Sequence, residues 1–109
     1  MSEITVSELM DRMPEAFISE KAKGVEAVIQ YNLTGEEGGK WVISIADGKC
    51  TVVPGETENP TMVLTANAQD YKDVVTGKQD AMQAFMKGKL RLSGDLGLAM
   101  KLTGFFRMD

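Results

Sequence analysis

The sequence predicts an α+β fold on a mostly antiparallel sheet, and three observations carry that prediction. The apolar residues recur every three or four positions at the start, every second position from Val25, and at helical spacing again from Asn67. Glycine-, proline- and asparagine-rich turn signals separate these segments at short intervals. The chain's 109 residues, 43% of them apolar and 26% charged, suit one globular domain over residues 1–109, in which folding buries about two-thirds of the unfolded surface.

Thr5-Val6-Ser7-Glu8 reads as a capping box that opens a helix. Val6, Leu9, Met10, Met13 and Phe17 then form one apolar stripe. Pro14 predicts that this helix stops near Met13 and that a short second helix begins there. Glu3, Glu8, Asp11, Glu15 and Glu20 make the opposite face acidic, which fits a solvated surface rather than an anchor on an anionic membrane. Val25, Ala27, Ile29, Tyr31 and Leu33 alternate as a half-buried strand, and Gly35 to Gly39 form a turn whose two acids, Glu36 and Glu37, are expected in solvent. Trp41, Ile43 and Ile45 alternate next, with Trp41 as a core anchor. Asp47-Gly48 is a strong hairpin signal. Cys50 and Val52 continue into a third strand that ends at Pro54-Gly55, and a polar loop leads past Pro60 to a fourth strand over Thr61–Thr65. Asn67 and Asp80 cap two helices that end at Gly77 and Gly88. Lys89–Ser93 form the last short strand, and Asp95 caps a final helix from Leu96 to about Phe106.

Composition excludes much chemistry. The chain has no histidine, so Ser-His and Cys-His nucleophiles and the usual zinc and copper sites are absent. A lone Cys50 can form no internal disulfide and reads as a buried, inert thiol. No glycine-lysine pair has the spacing of a phosphate loop. The net charge of −4 argues against nucleic acid as a partner. The start of the chain resembles no signal peptide, and no run is long enough to span a bilayer, so a soluble cytoplasmic protein is expected. Charge is unevenly placed: residues 1–66 carry 5 Lys/Arg and 11 Asp/Glu, whereas residues 67–109 carry 7 and 5. The 8 methionines outnumber the 4 Phe, 2 Tyr and 1 Trp together, which suits a deformable apolar interior.

The final helix is the most informative segment. Leu96, Leu98, Ala99, Met100, Leu102, Phe105 and Phe106 spread over an arc of roughly 220°, where a helix lying on one sheet needs about 100°. On the wheel Leu98, Leu102 and Phe105 lie toward one edge of that arc, and Leu96 and Met100 toward the other. The surplus predicts a second apolar surface: a packing layer, a partner protein, a membrane or a bound lipid.

The run Ala84-Phe85-Met86-Lys87-Gly88-Lys89-Leu90-Arg91-Leu92-Ser93-Gly94-Asp95 resembles the most recognisable stretch of the sterol carrier protein type 2 domain family. Gly39-Lys40-Trp41 with Ile43, Pro60-Thr61, and Tyr71 through Thr76-Gly77-Lys78 agree with it in order and spacing. The resemblance implies a five-stranded mixed sheet with helices covering one face. It also implies non-catalytic lipid binding or transfer in an apolar tunnel between sheet and C-terminal helix, and no catalytic residue or cofactor. The ligand would be a sterol, fatty acid, fatty acyl-CoA or phospholipid, with transient membrane contact as a further partner. The lining expected on this reading comes from Met10, Met13 and Phe17 in the first stripe and from Met82, Phe85 and Met86 before the last strand. The final helix adds Leu96, Leu98, Met100, Leu102, Phe105 and Phe106. Basic residues of the second half (Lys72, Lys78, Lys87, Lys89, Arg91 and Lys101) are candidates for the tunnel mouth. The chain does not end in a peroxisomal Ser-Lys-Leu signal. The alternative is an interaction or dimerisation module that uses the surplus apolar face of the final helix.

Overall fold

Helix α1 (Val6–Ala16) opens with the expected reciprocal cap. The Glu8 amide donates to the Thr5 hydroxyl at 3.1 Å, and Glu8 reaches back to Thr5. In this computed structural model, which describes residues 4–105, α1 runs through Pro14 instead of stopping at Met13. The proline sits in the last turn, where its missing donor costs a single bond. A 3-10 turn at Ser19–Ala22 replaces the expected second helix.

Five strands follow in the space order β3 (Lys49–Pro54), β2 (Gly39–Ala46), β1 (Ala27–Thr34), β4 (Met62–Asn67), β5 (Leu90–Gly94). The first strand begins at Ala27, because the Val25 N–H donates to the Ala22 carbonyl of the preceding turn. Asp47 and Gly48 take φ values of 53° and 72°, the left-handed pair a tight hairpin requires. Neighbouring strands are antiparallel except at the centre, where β1 and β4 run parallel. Register places Ile29 beside Ile43 and Met62, and Tyr31 beside Trp41 and Leu64, all on one face. That face is buried. Trp41 is only half-buried, its ring lying over Gly39.

Four helices cover the buried face. Helix α1 packs over β3, and α2 (Ala68–Val75) over β1 and β4. Beyond it, α3 (Ala81–Met86) lies beside β5, and α4 (Leu96–Leu102) rests on β4 and β5. Asn67, Asp80 and Asp95 cap α2, α3 and α4 through their side-chain oxygens. The expected long final helix is shorter: after Leu102 it tightens into a 3-10 turn at Thr103–Phe105. The tightening turns Phe105 inward to 2% exposure and brings its carbonyl 2.7 Å from the Ile18 amide. Gly94, at φ 89°, starts this segment where a Cβ would lie 2.5 Å from the Thr61 carbonyl oxygen, so only glycine lets β5 close on β4 there.

Two polar ties hold the layers. On the open face Gln30 is 5% exposed, and its side-chain amide donates to the carbonyls of Tyr31, Trp41 and Gly55. Its carbonyl accepts from the Thr57 amide at 2.8 Å. The loop from Gly55 to Thr57 is thereby pinned across β1. On the helix side Glu37 is exposed, as the turn sequence suggested, yet both its oxygens are bonded. One oxygen accepts from the Val6 amide and the other from Lys72 Nζ, both at 2.9 Å. A single carboxylate thus joins the β1–β2 turn to α1 and α2.

Two outcomes follow. Gln30→Ala should cost about 2–3 kcal/mol, because it strands buried backbone partners; urea unfolding measures it, and a cost below about 0.5 kcal/mol would refute the pinning role. The bonds from Lys72 and Val6 hold the Glu37 carboxyl below its ordinary value, so the folded state binds fewer protons there than the unfolded chain. Its stabilisation is present above the unfolded value of about 4.3 and is lost as pH falls through the lower folded value. The urea midpoints of wild type and Glu37→Gln should therefore differ at pH 7 and converge in acid.

Candidate functional site

The inward helix faces and the sheet enclose one apolar layer. Met10 and Met13 enter it from α1, Tyr71 and Val74 from α2, and Ala84 from α3. Leu98 and Leu102 enter from α4, and Phe105 from the turn after it. Ile29, Ile43, Met62 and Leu64 form its floor. Methionine lies on both sides of the layer, which gives it an adaptable lining.

One polar feature lies within it. The rings of Tyr31 and Tyr71 meet edge to face, with centroids 5.5 Å apart at 69°, a favourable arrangement for aromatic pairs. The two hydroxyls interact with each other, and burial raises both phenols above their ordinary value. They are neutral hydrogen-bonding groups throughout the physiological range. Burial likewise pushes the Cys50 thiol up to about 11, which leaves little thiolate at neutral pH. Among the described residues no three metal-ligating side chains come together, and no helix is long and apolar enough to cross a membrane. The arrangement is a packed apolar layer with one neutral hydrogen-bonding pair inside it. It offers no activated nucleophile.

The expected lining residues divide into two groups. Met10, Met13, Leu98, Leu102 and Phe105 are buried together, with Phe17 half-buried against them. Met82, Phe85 and Met86 of α3 and Leu96 and Met100 of α4 are exposed at the outer surface. Phe106 lies outside the described residues. The division in α4 follows the helical wheel: the edge holding Leu98 and Leu102 meets the sheet, and the edge holding Leu96 and Met100 faces away. None of the expected lining residues borders either of two hollows on the surface. A hollow of about 450 Å³ lies among Ser19, Lys23, Glu26 and Asp47. Another, of about 500 Å³, lies on the open sheet face among Gln30, Asn32, Glu56 and Thr57.

The basic residues also divide. Lys72 is 5% exposed and bonded to Glu37, so it is a structural cation and not part of a tunnel mouth. Lys87, Lys89, Arg91 and Lys101 are exposed. Sequence reasoning did not mark Tyr31, Tyr71 or Lys72 as interior polar groups. Tyr31 stood in an apolar alternation and Lys72 on a polar helix face, and nothing local to either distinguishes it.

A five-stranded mixed sheet whose buried face is roofed by four short helices, with an adaptable apolar layer between, defines a class of small α+β domains. A sequence model of the SCP-2 sterol transfer family matches residues 6–107, and the chain belongs to that family. Hydroxysteroid dehydrogenase-like protein 2 of Xenopus tropicalis is 38% identical over 90 residues, covering 81% of this chain and 22% of that protein. The chain spans about a fifth of the length of such curated relatives. The solution structure of sterol carrier protein domain 2 of Helicoverpa armigera is similar at a TM-score of 0.76 and 30% identity, covering 91% of this chain and 83% of that one. The palmitated SCP2L2 of Aedes aegypti is similar at a TM-score of 0.71 and 26% identity, covering 91% of each chain.

The division of α4 makes a measurable prediction. Leu98→Ala, Leu102→Ala and Phe105→Ala should each cost about 2–5 kcal/mol through lost burial and residual cavities. Leu96→Ala and Met100→Ala should change stability by less than about 0.5 kcal/mol. Urea unfolding of the five variants would show two separate groups; a continuous spread would contradict the packing described.

Proposed function

We propose that this chain binds and carries a long-chain lipid without catalysis, holding it in the apolar layer between the sheet and α4. The observation that carries the reading is the match of residues 6–107 to the SCP-2 sterol transfer family. The methionine-lined layer supports it, since a thioether repacks around chains of different shape at little cost. A fatty acid is the first candidate among the fatty acid, fatty acyl-CoA, phospholipid and sterol classes, because the Aedes aegypti relative is described as palmitated. The lipid is the ligand, and the reading needs no cofactor.

In this reading the acyl chain enters beside Leu98, Leu102 and Phe105 by parting α4 from the sheet. The neutral Tyr31–Tyr71 pair supplies the one place in the described layer where a buried oxygen of the ligand finds a hydrogen bond. Carboxylate-bearing ligands keep their head in water, since burying an unpaired charge is costly.

A second reading has its own support. The chain corresponds to 22% of a dehydrogenase-like relative, so it is also suited to serve as a docking module of a larger enzyme.

Native mass spectrometry separates the two. Protein purified without detergent should appear as a monomer carrying a long-chain lipid, released on solvent extraction. An empty extract, with no uptake of a fluorescent fatty acid at micromolar protein, would refute the carrier reading. A lipid-free dimer or complex would favour the docking module.

A further inference from the structure

We propose that the free edge of β5 pairs antiparallel with an extended segment of a partner protein that alternates acidic and apolar residues. The register fixes which backbone groups are open. The Asp95 amide donates to the Thr61 carbonyl at 3.0 Å, and antiparallel bonds alternate along a ladder. Arg91 and Ser93, opposite Thr65 and Val63, therefore spend their amides and carbonyls on β4. Those of Leu90, Leu92 and Gly94 point away from the sheet. Among the described residues no turn, cap or side-chain hydrogen bond takes them up. Such a row of unpaired donors and acceptors is a template for another strand. The opposite edge is blunted. There the Gly55 amide donates to the Lys40 carbonyl, so the outward positions of β3 are Cys50, Val52 and Pro54. Pro54 has no donor to offer, and proline on an edge strand blocks further pairing. Strand β5 contains no proline.

Charge and polarity select the occupant. On the open sheet face β5 shows Arg91, with Lys89 just before it. Both are exposed, and neither has an ion-pair partner among the described residues. Thr65 and Val63, the β4 neighbours of Arg91 and Ser93, are uncharged. On the helix side Leu90 is buried and Leu92 half-buried, and α3 and α4, which both contact β5, leave Phe85 and Leu96 in solvent. An added strand thus meets two cations on one face and apolar side chains on the other. Successive strand residues point to opposite faces, so the complementary segment has acids at every second position and apolar residues between. Its apolar residues lie opposite Leu90 and Leu92, and it is their amides that bond to β5. A second copy fits less well. Its β5 would add the same two cations to the joint, and its nearest acid, Asp95, already caps α4 by accepting the Leu98 amide at 3.0 Å.

The test uses the full chain and labelled peptides of about eight residues. One alternates Glu with Val, one alternates Lys with Val, and one holds the Glu and Val residues in two separate blocks. In fluorescence anisotropy at low salt the alternating Glu-Val peptide should bind roughly tenfold more tightly than either of the others, and should weaken at about 0.5 M salt. It should slow amide exchange at Leu90, Leu92 and Gly94 by roughly tenfold and leave Cys50 and Val52 unchanged. N-methylation of its Val amides should lower binding by roughly tenfold, whereas N-methylation of its Glu amides should change it by less than about threefold. Lys89→Glu/Arg91→Glu should reverse the preference toward the Lys-Val peptide and keep the melting temperature within about 2 °C, since both side chains are exposed. Absence of binding at about 1 mM Glu-Val peptide, equal binding of the Glu-Val and Lys-Val peptides, or protection at β3 in place of β5 would overturn the proposal. So would a wild-type dimer in sedimentation velocity whose Leu90, Leu92 and Gly94 amides are protected before peptide is added, since a second copy would then hold the edge. The proposal goes beyond the carrier reading and does not require it. Lipid extraction and fatty-acid uptake test that reading alone, and peptide binding tests the strand edge alone.

Discussion

Because β1 pairs in parallel with β4 while β2 and β3 fold away to the far edge, the chain has to recross the sheet between Pro54 and Met62. Parallel neighbours cannot be joined by a tight hairpin, and the return must lie on one face or the other. Here it crosses the open face, where Gln30 clamps Gly55 and Thr57, and the Val28 amide and carbonyl meet the side chain and amide of Thr61. The consequence reaches the other side of the sheet. With that return on the other side, the buried face is left to the four helices, two of which carry the chain from β4 to β5. The position of the candidate site thus depends on a glutamine on the opposite face.

The helical roof is not uniformly attached. At the α1–α2 end, Val6 and Met10 are almost wholly buried, the tyrosine pair fills the space beneath α2, and Glu37 ties both helices to the β1–β2 turn. Glu37 holds this position at φ 63°, a conformation unfavourable for a residue with a side chain, and its two hydrogen bonds offset that cost. At the other end α3 is anchored by Ala84, and α4 by Leu98 and Leu102. Opening free energies follow the apolar area each segment buries. Helix α3, with Ala84 as its one buried side chain, is therefore the part of the roof that buries least, while α4 is held by Leu98, Leu102 and the Phe105 that follows it.

The legible parts of this structure were those governed by neighbours in sequence. The caps at Thr5, Asn67, Asp80 and Asp95 and the Asp47-Gly48 turn are contacts within a few residues, and each appears as the pattern implied. The wheel of the last helix separated Leu98 and Leu102 from Leu96 and Met100 because 3.6-residue periodicity survives into tertiary structure. Contacts between distant segments were not legible. Gln30 and Glu37 find their partners 27 and 35 positions away, and no local pattern marks either. Pro14 misled because the rule against proline concerns a helix interior, and α1 ends two residues later. The parallel centre was implied by family resemblance, not by any periodicity, since strand alternation is indifferent to direction.

The methionines show where composition runs out as an argument. Eight of them suggested an adaptable interior, and Met10, Met13 and Met62 do lie there. Met82, Met86 and Met100 do not; they stand outside the fold that was meant to contain them. A long unbranched apolar side chain adds little to a helix that glutamate or lysine would form as well, and in water it lowers solubility. Nothing in the packing of α3 or α4 requires methionine at these places. Their contribution to the folded chain is close to nil, so the free energy they can release is available only on contact with something apolar beyond it. Two surfaces of the same residue type then have separate physical roles. The inner methionines fill the layer between helices and sheet, and the outer ones leave apolar surface in solvent on α3 and α4.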